Sequence, residues 1–367
     1  MSAHDELAAE VLNVITADRG EIRLLGRIND QLIGNTSDKE VFVFVPDLHL
    51  LSPARRADFG AYGFNHEDSE LLARIATALA NLKRQWATAH TYDLIAIQVG
   101  DFFDLWREFP GDFDPNAIPD DAHGALRDAL YRGVFRGKPC LEATILLGNH
   151  DTKGGVTLPD VGFFLKAFNR SPTPFLFATH GDAFDIVERL APDRIQEFIV
   201  YGCGEHTPAN IYPVDQWGRQ AEATNKPANE MQDSIVASQH DLTAVAGAVT
   251  VSMNVPLPER FAQIVASPDE VDHRYFKEFY GAIGDAAEQY AGARRIRVVV
   301  IGHTHQAAMI LCEPPGGGRP MLFIDSGAWI EKCTYLIEEG HRVTEPSAQL
   351  VVIHGNDARL YQIRAPS

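Results

Sequence analysis

The pattern of apolar positions predicts several short buried strands, each of which ends in polar residues. The clearest is residues 41–50, VFVFVPDLHL, where an uncharged β-branched and aromatic run ends at Pro46 and is followed by Asp47 and His49. Residues i and i+2 at the end of a strand leave on the same face, so these two side chains can converge on one point. Later stretches repeat this construction, and strands are predicted at residues 93–99, 142–147, 175–179 and 296–301.

The remaining pattern places helices between the early strands and hairpins between the late ones. Apolar residues at helical spacing predict helices over residues 5–17 and about 65–89. The apolar residues of 21–34 fit neither the helical spacing nor the alternation of a strand. Turn residues follow short apolar runs near residues 321–324 and 350–363, which indicates hairpin-connected strands. This order of elements predicts an α/β sandwich with mixed sheets.

Residues 183–295 break this rhythm, because they look mostly helical and carry few strand signals. They lie between two strand-and-polar units, which is typical of an insertion that covers a site. The predicted organisation is an N-terminal helical extension at residues 1–39, a core formed by residues 40–182 and 296–367, and a helical insertion or cap at residues 183–295.

Charge and cysteine content narrow the class of protein. The formal net charge of −18 repels nucleic acid at long range, which disfavours a general nucleic-acid binder. The four cysteines include no CxxC pair, and the acidic, amphipathic first residues do not resemble a signal peptide. No apolar run approaches the length of a membrane span. We therefore expect a cytoplasmic protein, and the sequence leaves peripheral contact with a membrane open.

The polar residues at the strand ends are of types that bind metal ions. They are Asp47, His49, Asp101, Asn149, His150, His180, His303 and His305. In α/β sheets, ligands gather at the carboxyl ends of the strands. Carboxylates and imidazoles suit Mn, Fe, Zn or Ni, and nothing in the residue types selects among these.

The motifs DLH, GD, GNHD, HGD and GHTH, in that order, resemble those of the calcineurin-like metallophosphoesterases. The resemblance implies a four-layer α/β/β/α sandwich around two divalent transition-metal ions, with Mn as the first choice. It also assigns seven ligands to two metal sites. These are Asp47, His49 and His305 for one ion, Asn149, His180 and His303 for the other, and Asp101 as the bridge between them.

The same resemblance implies a hydrolytic mechanism. Two bound metal ions would lower the pKa of a bridging water, and the resulting hydroxide would attack phosphorus. His150 matches the family's non-ligand histidine beside the substrate phosphate, and we expect it to protonate the leaving oxygen. Asp104, in GDFFD, either orients His150 or caps a turn. Arg55 and Arg56 either meet a second phosphate or are simply solvated.

The local motifs narrow the substrate only in part. GDFFDLW, HGD and the long insertion are similar to the UDP-diacylglucosamine hydrolases of lipid A synthesis, which cut a pyrophosphate bond. This similarity implies a phosphorylated small molecule or lipid precursor as substrate, although that branch usually has Arg where this chain has His150. A nuclease or cyclic phosphodiesterase and a non-catalytic scaffold of the same fold are the alternatives. Scaffolds of this fold typically lose ligands, whereas all seven ligand positions are filled here.

Overall fold

The structure is a computed structural model, and it describes most of the predicted core. The described residues are 2–17, 20–29, 38–50, 66–103, 128–151, 168–169, 175–182, 261–266, 296–303, 307–312, 321–329, 331–336, 341–346 and 348–364. Its two long helices are α1 (Ala3–Thr16) and α2 (His66–Ala89), close to the predicted bounds. None of the helices in this part of the chain is long and apolar enough to cross a membrane.

Strands make up most of the remaining described chain, and we number them in chain order. They are β1 Glu21–Asn29, β2 Glu40–Val45, β3 Asp93–Gln98, β4 Val134–Phe135, β5 Lys138–Pro139, β6 Thr144–Ile145, β7 Phe168–Asn169, β8 Leu176–Ala178, β9 Phe261–Ala266, β10 Val298–Ile301, β11 Ala308–Cys312, β12 Met321–Asp325, β13 Glu331–Leu336, β14 His341–Pro346, β15 Gln349–His354 and β16 Asp357–Arg364.

Twelve of these strands form two mixed sheets of six. Sheet 1 has the order β1-β16-β15-β2-β3-β6, and sheet 2 has the order β7-β8-β10-β12-β11-β9. Strands β2, β3 and β6 are parallel in sheet 1, as are β8, β10 and β12 in sheet 2. The predicted mixed-sheet α/β architecture is therefore confirmed, and the parallel strands place their carboxyl ends at one edge of each sheet.

Two hydrophobic clusters hold the sheets in place. In β2, Val41 and Val43 pack into one cluster together with residues of α1 and α2, such as Leu7. The alternate residues, such as Phe42, pack into a second cluster that contains β10 residues, such as Val298. Sheet 1 therefore lies between the helices and sheet 2. A strand buried on both faces has no polar face, which explains the continuous apolar run VFVFV.

Two strands lie in stretches for which the sequence predicted something else. Residues 21–29, placed in an N-terminal helical extension, form the edge strand β1 of sheet 1 and pair with β16. The register shifts between Leu24 and Gly26, and this irregularity breaks the alternation that would have indicated a strand. Strand β9 falls inside the predicted helical stretch 183–295 but pairs with β11 in sheet 2. The domain boundaries themselves stay a prediction, because most of that stretch lies outside the described residues.

A buried histidine makes the docking of α1 dependent on pH. His4 is 1% exposed, and its Nε2 lies 3.0 Å from the carbonyl oxygen of Asp357. The pKa of His4 is lowered to about 4, mainly by burial and in part by Arg359 and His354, against the attraction of the Asp357 carboxylate. The folded state therefore keeps this imidazole neutral at pH values where the unfolded chain already binds a proton.

Because of His4, we expect the free energy of unfolding to fall by about 2–3 kcal/mol as the pH is lowered from 7 to 4. The unfolded state binds the extra proton between about pH 6.5 and pH 4, so the folded state loses stability as pH falls through that window. Urea denaturation at several pH values measures this loss, with His4→Gln as the comparison because its amide stays neutral. Equal pH slopes for the two proteins would contradict the assignment.

Candidate metal centre

Seven of the predicted site residues come together where the parallel strands end. Their positions follow directly from the strands that precede them. Asp47 and His49 follow β2, Asp101 follows β3, Asn149 and His150 follow β6, His180 follows β8, and His303 follows β10. The two sheets therefore both contribute to the site. His305, Asp104, Arg55 and Arg56 lie outside the described residues.

Backbone hydrogen bonds fasten the turn after β2 to the turn after β3. The amide groups of Leu48 and His49 both donate to the carbonyl oxygen of Asp101, at 3.0 and 2.8 Å. The fully buried side-chain amide of Gln98 donates through Nε2 to the carbonyl oxygens of Pro46 (3.2 Å) and Gly100 (2.6 Å). These bonds hold Asp47 and Asp101 at neighbouring positions. Sequence reasoning missed Gln98, because a single polar residue inside an apolar strand gives no indication of its partners.

The side chains form two ligand groups that share one carboxylate. In the first group, the potential ligand atoms of His49, Asp101 and His150 all lie within 4.8 Å of one another. In the second, the same holds for Asp101, His180 and His303. Oδ2 of Asp101 lies 3.4 Å from Nε2 of His49 and 3.2 Å from Nε2 of His180. Asp101 therefore occupies the position between the two groups.

Asn149 and Asp47 complete the arrangement around the second group. Oδ1 of Asn149 lies 3.0 Å from Nε2 of His180 and 3.3 Å from Nδ1 of His303. Oδ1 of Asp47 lies 3.7 Å from Nδ1 of His180, and its Oδ2 accepts a hydrogen bond from the backbone N–H of His303 at 2.8 Å. Asp47 is thus in contact with both histidines of the second group.

His150 lies closer to the first group than its predicted role required. Its ring stands edge-on to that of His49, with 4.6 Å between the ring centroids, and only 4% of the residue is exposed. The resemblance placed His150 beside the metal ions as a non-ligand. The structure puts its ring within reach of the same cation position, so metal binding and proton donation have to be distinguished by experiment.

Burial and mutual attraction perturb the titration of these groups. Burial raises the pKa of Asp47 well above its usual range, and the Asp101 charge adds to the rise. Burial would also raise the pKa of Asp101, but the attraction of the surrounding histidines, His180 above all, outweighs it and holds that pKa below its usual range. Burial would lower the pKa of His180, but the carboxylates of Asp101 and Asp47 raise it well above 6.5. The two buried carboxyl groups therefore disfavour each other's charged form, and a positive charge beside them, such as that of protonated His180, favours it.

Three of the candidate ligands have an unusual backbone conformation. His49, Asp101 and His303 have φ values of 49°, 47° and 73°, in the left-handed region. Residues with a Cβ atom adopt this region at a cost of roughly 1–2 kcal/mol each. Such strain concentrates at functional sites, where the surrounding structure enforces it. The tight turns after β2, β3 and β10 thus direct these side chains back over the strand ends.

Glycines next to the ligands leave room for carboxylates from other turns. A Cβ atom at Gly148 would overlap Oδ1 of Asp101, and one at Gly302 would overlap Oδ1 of Asp47. The glycines that precede the ligand residues in GNHD and GHTH are therefore required for close approach. The sequence shows a glycine in each motif. It does not show that the space beside each glycine is filled by a carboxylate oxygen from a distant part of the chain.

Gly302→Ala is expected to weaken metal binding at least tenfold, because the new methyl group displaces the buried Asp47 carboxylate. Calorimetric titration of the metal-free protein with Mn²⁺ measures this change. Gly355→Ala is the matched control, since its Cβ would meet nothing within 4 Å and only its φ of 57° costs stability. Equal Mn²⁺ affinity in Gly302→Ala and wild-type protein would show that the contact is not restrictive.

The residues present fit divalent metal ions. Oδ2 of Asp101 is buried and accepts no hydrogen bond of adequate geometry from the described residues, although it faces two imidazole rings. A buried carboxylate oxygen without a donor is costly unless a cation satisfies it. Carboxylate, imidazole and amide oxygen together form a donor set that transition-metal ions accept.

Two further buried carboxylates at this edge were not predicted as site residues. Asp151 follows His150 and accepts three backbone hydrogen bonds. Burial raises its pKa to about 7, with a contribution from the Asp101 charge and against the effect of these bonds. Asp325 ends β12, and its charge adds to the raised pKa of Asp47. The sequence MLFID, followed by Ser and Gly, is another apolar run that ends in a polar residue. This pattern could have identified Asp325 as a site residue.

Comparison with known proteins gives a match over the same part of the chain. The family model described as calcineurin-like phosphoesterase matches residues 41–307. This range is more than half of the 367 residues and includes every described candidate ligand. No curated protein matches the chain at a significant level.

Proposed function

Because the chain belongs to the calcineurin-like phosphoesterase family, we propose that it uses two divalent metal ions to hydrolyse a phosphoester or pyrophosphate bond. The observation that carries the dinuclear part of this proposal is the position of Asp101, whose carboxylate belongs to two ligand groups at once. One carboxylate shared by two groups supports a pair of neighbouring cations, because it could bind both.

The proposed ligands are those that the family resemblance implies, and the two ligand groups support the shared position of Asp101 among them. The ligands are Asp47, His49 and His305 for one ion, Asn149, His180 and His303 for the other, and Asp101 between them. When bound, divalent ions supply Lewis acidity, which polarises a phosphoryl oxygen and lowers the pKa of water. Mn²⁺ is our first choice, and Fe, Zn and Ni suit the same donors.

The described residues orient the site before any ligand binds. Nδ1 of His180 lies 3.0 Å from the carbonyl oxygen of Val99, so this nitrogen carries the proton when the ring is neutral. Nε2 is then the free lone-pair donor, and it faces Asp101 and Asn149. A second hydrogen bond of this kind is typical of metal-binding histidines.

For the chemical step, we assign proton transfer to His150. Its ring lies beside the ligand groups, and its backbone N–H donates to Oδ1 of Asp101 at 2.9 Å, which fixes the turn that carries it. The imidazolium would give its proton to the leaving oxygen as the bond to phosphorus breaks. Asp104 is assigned to orient His150, and Arg55 and Arg56 to contact a second phosphate.

We further propose the four-layer sandwich with residues 183–295 as an insertion that covers the site, apart from β9. Strands β8 and β10 are parallel neighbours, and the only described element between them in the chain is β9, which lies at the far edge of sheet 2 beside β11. The chain leaves β8 at its carboxyl end, which is the end that carries the ligands. A segment that begins there is positioned to contact a substrate bound at the metal ions.

The proposed substrate is a phosphorylated small molecule or a lipid precursor. The GDFFDLW motif favours a UDP-diacylglucosamine-type pyrophosphate within that class. A cyclic phosphodiesterase or nuclease is the enzymatic alternative, and the formal charge of −18 disfavours polyanionic nucleic acid. We place the protein in the cytoplasm.

Hydrolysis assays with the Mn-loaded protein test this proposal. The substrates are aryl phosphate monoesters, aryl phosphodiesters, UDP-linked lipids and plasmid DNA. We expect hydrolysis of at least one phosphate class, lost after chelation and restored by Mn²⁺. DNA cleavage would favour the nuclease. Fewer than one tightly bound transition-metal ion per chain, together with no hydrolysis of any of these, would instead favour a non-catalytic scaffold.

A further inference from the structure

We infer that Asp151 is a positioning residue, which holds the turns of Asp101 and Asn149 in the relative placement that metal binding requires. The inference rests on the proposed function, since it concerns the same metal pair. Asp151 is 1% exposed and directly follows His150 in the chain. It is neither a proposed ligand nor a proton donor.

The contacts of the Asp151 carboxylate join two distant segments. Oδ1 accepts a hydrogen bond from the backbone N–H of Phe103 at 2.8 Å, and Oδ2 accepts one from that of Phe102 at 3.3 Å. Oδ2 also accepts from the backbone N–H of Gly148 at 2.9 Å. The first two donors directly follow Asp101, whereas the third precedes Asn149. One carboxylate therefore fixes the spacing of the two turns.

Asp101 makes the reciprocal contact. Its Oδ1 accepts the backbone N–H of His150 at 2.9 Å, so the turn after β3 also holds the turn after β6. With Oδ1 used in this way, Oδ2 is the oxygen that remains directed at His49 and His180. The orientation of the shared candidate ligand thus depends on the spacing that Asp151 maintains.

A carboxylate suits this position better than an amide. Three N–H donors need three acceptor lone pairs on two oxygen atoms, and a carboxyl group can accept at both oxygens, whereas an amide accepts at only one atom. An Asn side chain would direct its NH₂ group at one or two of these N–H groups, whichever way the amide is turned. Backbone donors to carboxylates are also among the stronger hydrogen bonds in proteins.

Asp151→Asn tests the inference with metal binding as the main readout. We expect Mn²⁺ affinity, measured by calorimetric titration of the metal-free protein, to fall by about 10- to 100-fold. At saturating Mn²⁺ we expect kcat to fall while KM changes little, because the substituted group does not touch the substrate. The titrations are performed at a temperature where circular dichroism shows the variant to be folded.

Leu79→Ala is the matched control for simple loss of stability. Leu79 is 2% exposed, packs in the cluster between the helices and sheet 1, and is not a candidate ligand. We expect it to lower the melting temperature but to leave Mn²⁺ affinity and kcat unchanged. If Asp151→Asn behaves like Leu79→Ala, the residue is only structural and the inference is overturned.

Hydrogen exchange of the wild-type protein provides a test that does not depend on the variant. We expect the amides of Phe102, Phe103 and Gly148 to be protected in the metal-free protein, because Asp151 binds them without metal. Rapid exchange at all three would overturn the inference even if Asp151→Asn does not fold. Failure of the proposed function has a different outcome, in which the wild-type protein itself binds no metal.

Discussion

Asp101→Ala is expected to abolish measurable turnover and to remove both metal ions. Asp101 is the residue common to the two ligand groups, and its Oδ2 lies within 3.4 Å of His49 and 3.2 Å of His180. Loss of hydrogen-bonding partners behind a metal ligand already costs about 10- to 100-fold in affinity, so loss of a shared ligand should exceed that range. Elemental analysis after gel filtration measures the bound metal, and a phosphate-release assay measures turnover.

Asp93→Ala serves as the control, because Asp93 begins the same strand whose end precedes Asp101 and is exposed to solvent. It should retain both metal ions and full activity. Two retained ions in Asp101→Ala would contradict the shared-ligand arrangement. One retained ion would show that the carboxylate belongs to a single site.

His150→Ala is expected to keep both metal ions and to lower kcat by about 10²- to 10⁴-fold, the range for removal of a general acid. The loss should depend on the leaving group. A nitrophenolate leaves without protonation and should be affected little, whereas an alkyl phosphate should lose most of its rate. Steady-state kinetics across a series of leaving groups measures this dependence.

His90→Ala is the comparison for His150→Ala, since His90 is exposed at the end of α2. It should match the wild-type protein in metal content and kinetics. Because His150 also lies in a ligand group with His49 and Asp101, release of metal from His150→Ala would reassign it as a ligand. A rate loss independent of the leaving group would exclude proton donation.

The strand ends could be predicted from sequence because their signal is local. In β2 the apolar run, the proline and the polar pair follow one another within ten residues, and the strand bounds were correct to within about one residue. The same holds for β3, whereas β10 begins two residues after its predicted start at residue 296. The carboxyl ends of neighbouring parallel strands lie together, so the gathering of the candidate ligands within each sheet followed from topology.

Contacts between distant turns could not be predicted in this way. Neither the acceptor role of Asp151 nor the bridging amide of Gln98 is visible until residues about 50 positions apart are brought together. Strand β1 was missed for a different reason. Its irregular register disturbs the alternation between the two faces, and pairing with β16 stabilises the strand despite its weak pattern.

The order of strands in sheet 1 has a consequence for biosynthesis. Strands β15 and β16 lie in the middle of the sheet, between β1 and β2. They are the last two described elements in the chain, so the ribosome adds them after all the others. Until then one edge of β2 is unpaired, and β1 has no partner strand within the part of the chain that the structure describes. Nascent chains should therefore acquire protease resistance late and abruptly, and should depend on chaperones while the unpaired edge is exposed.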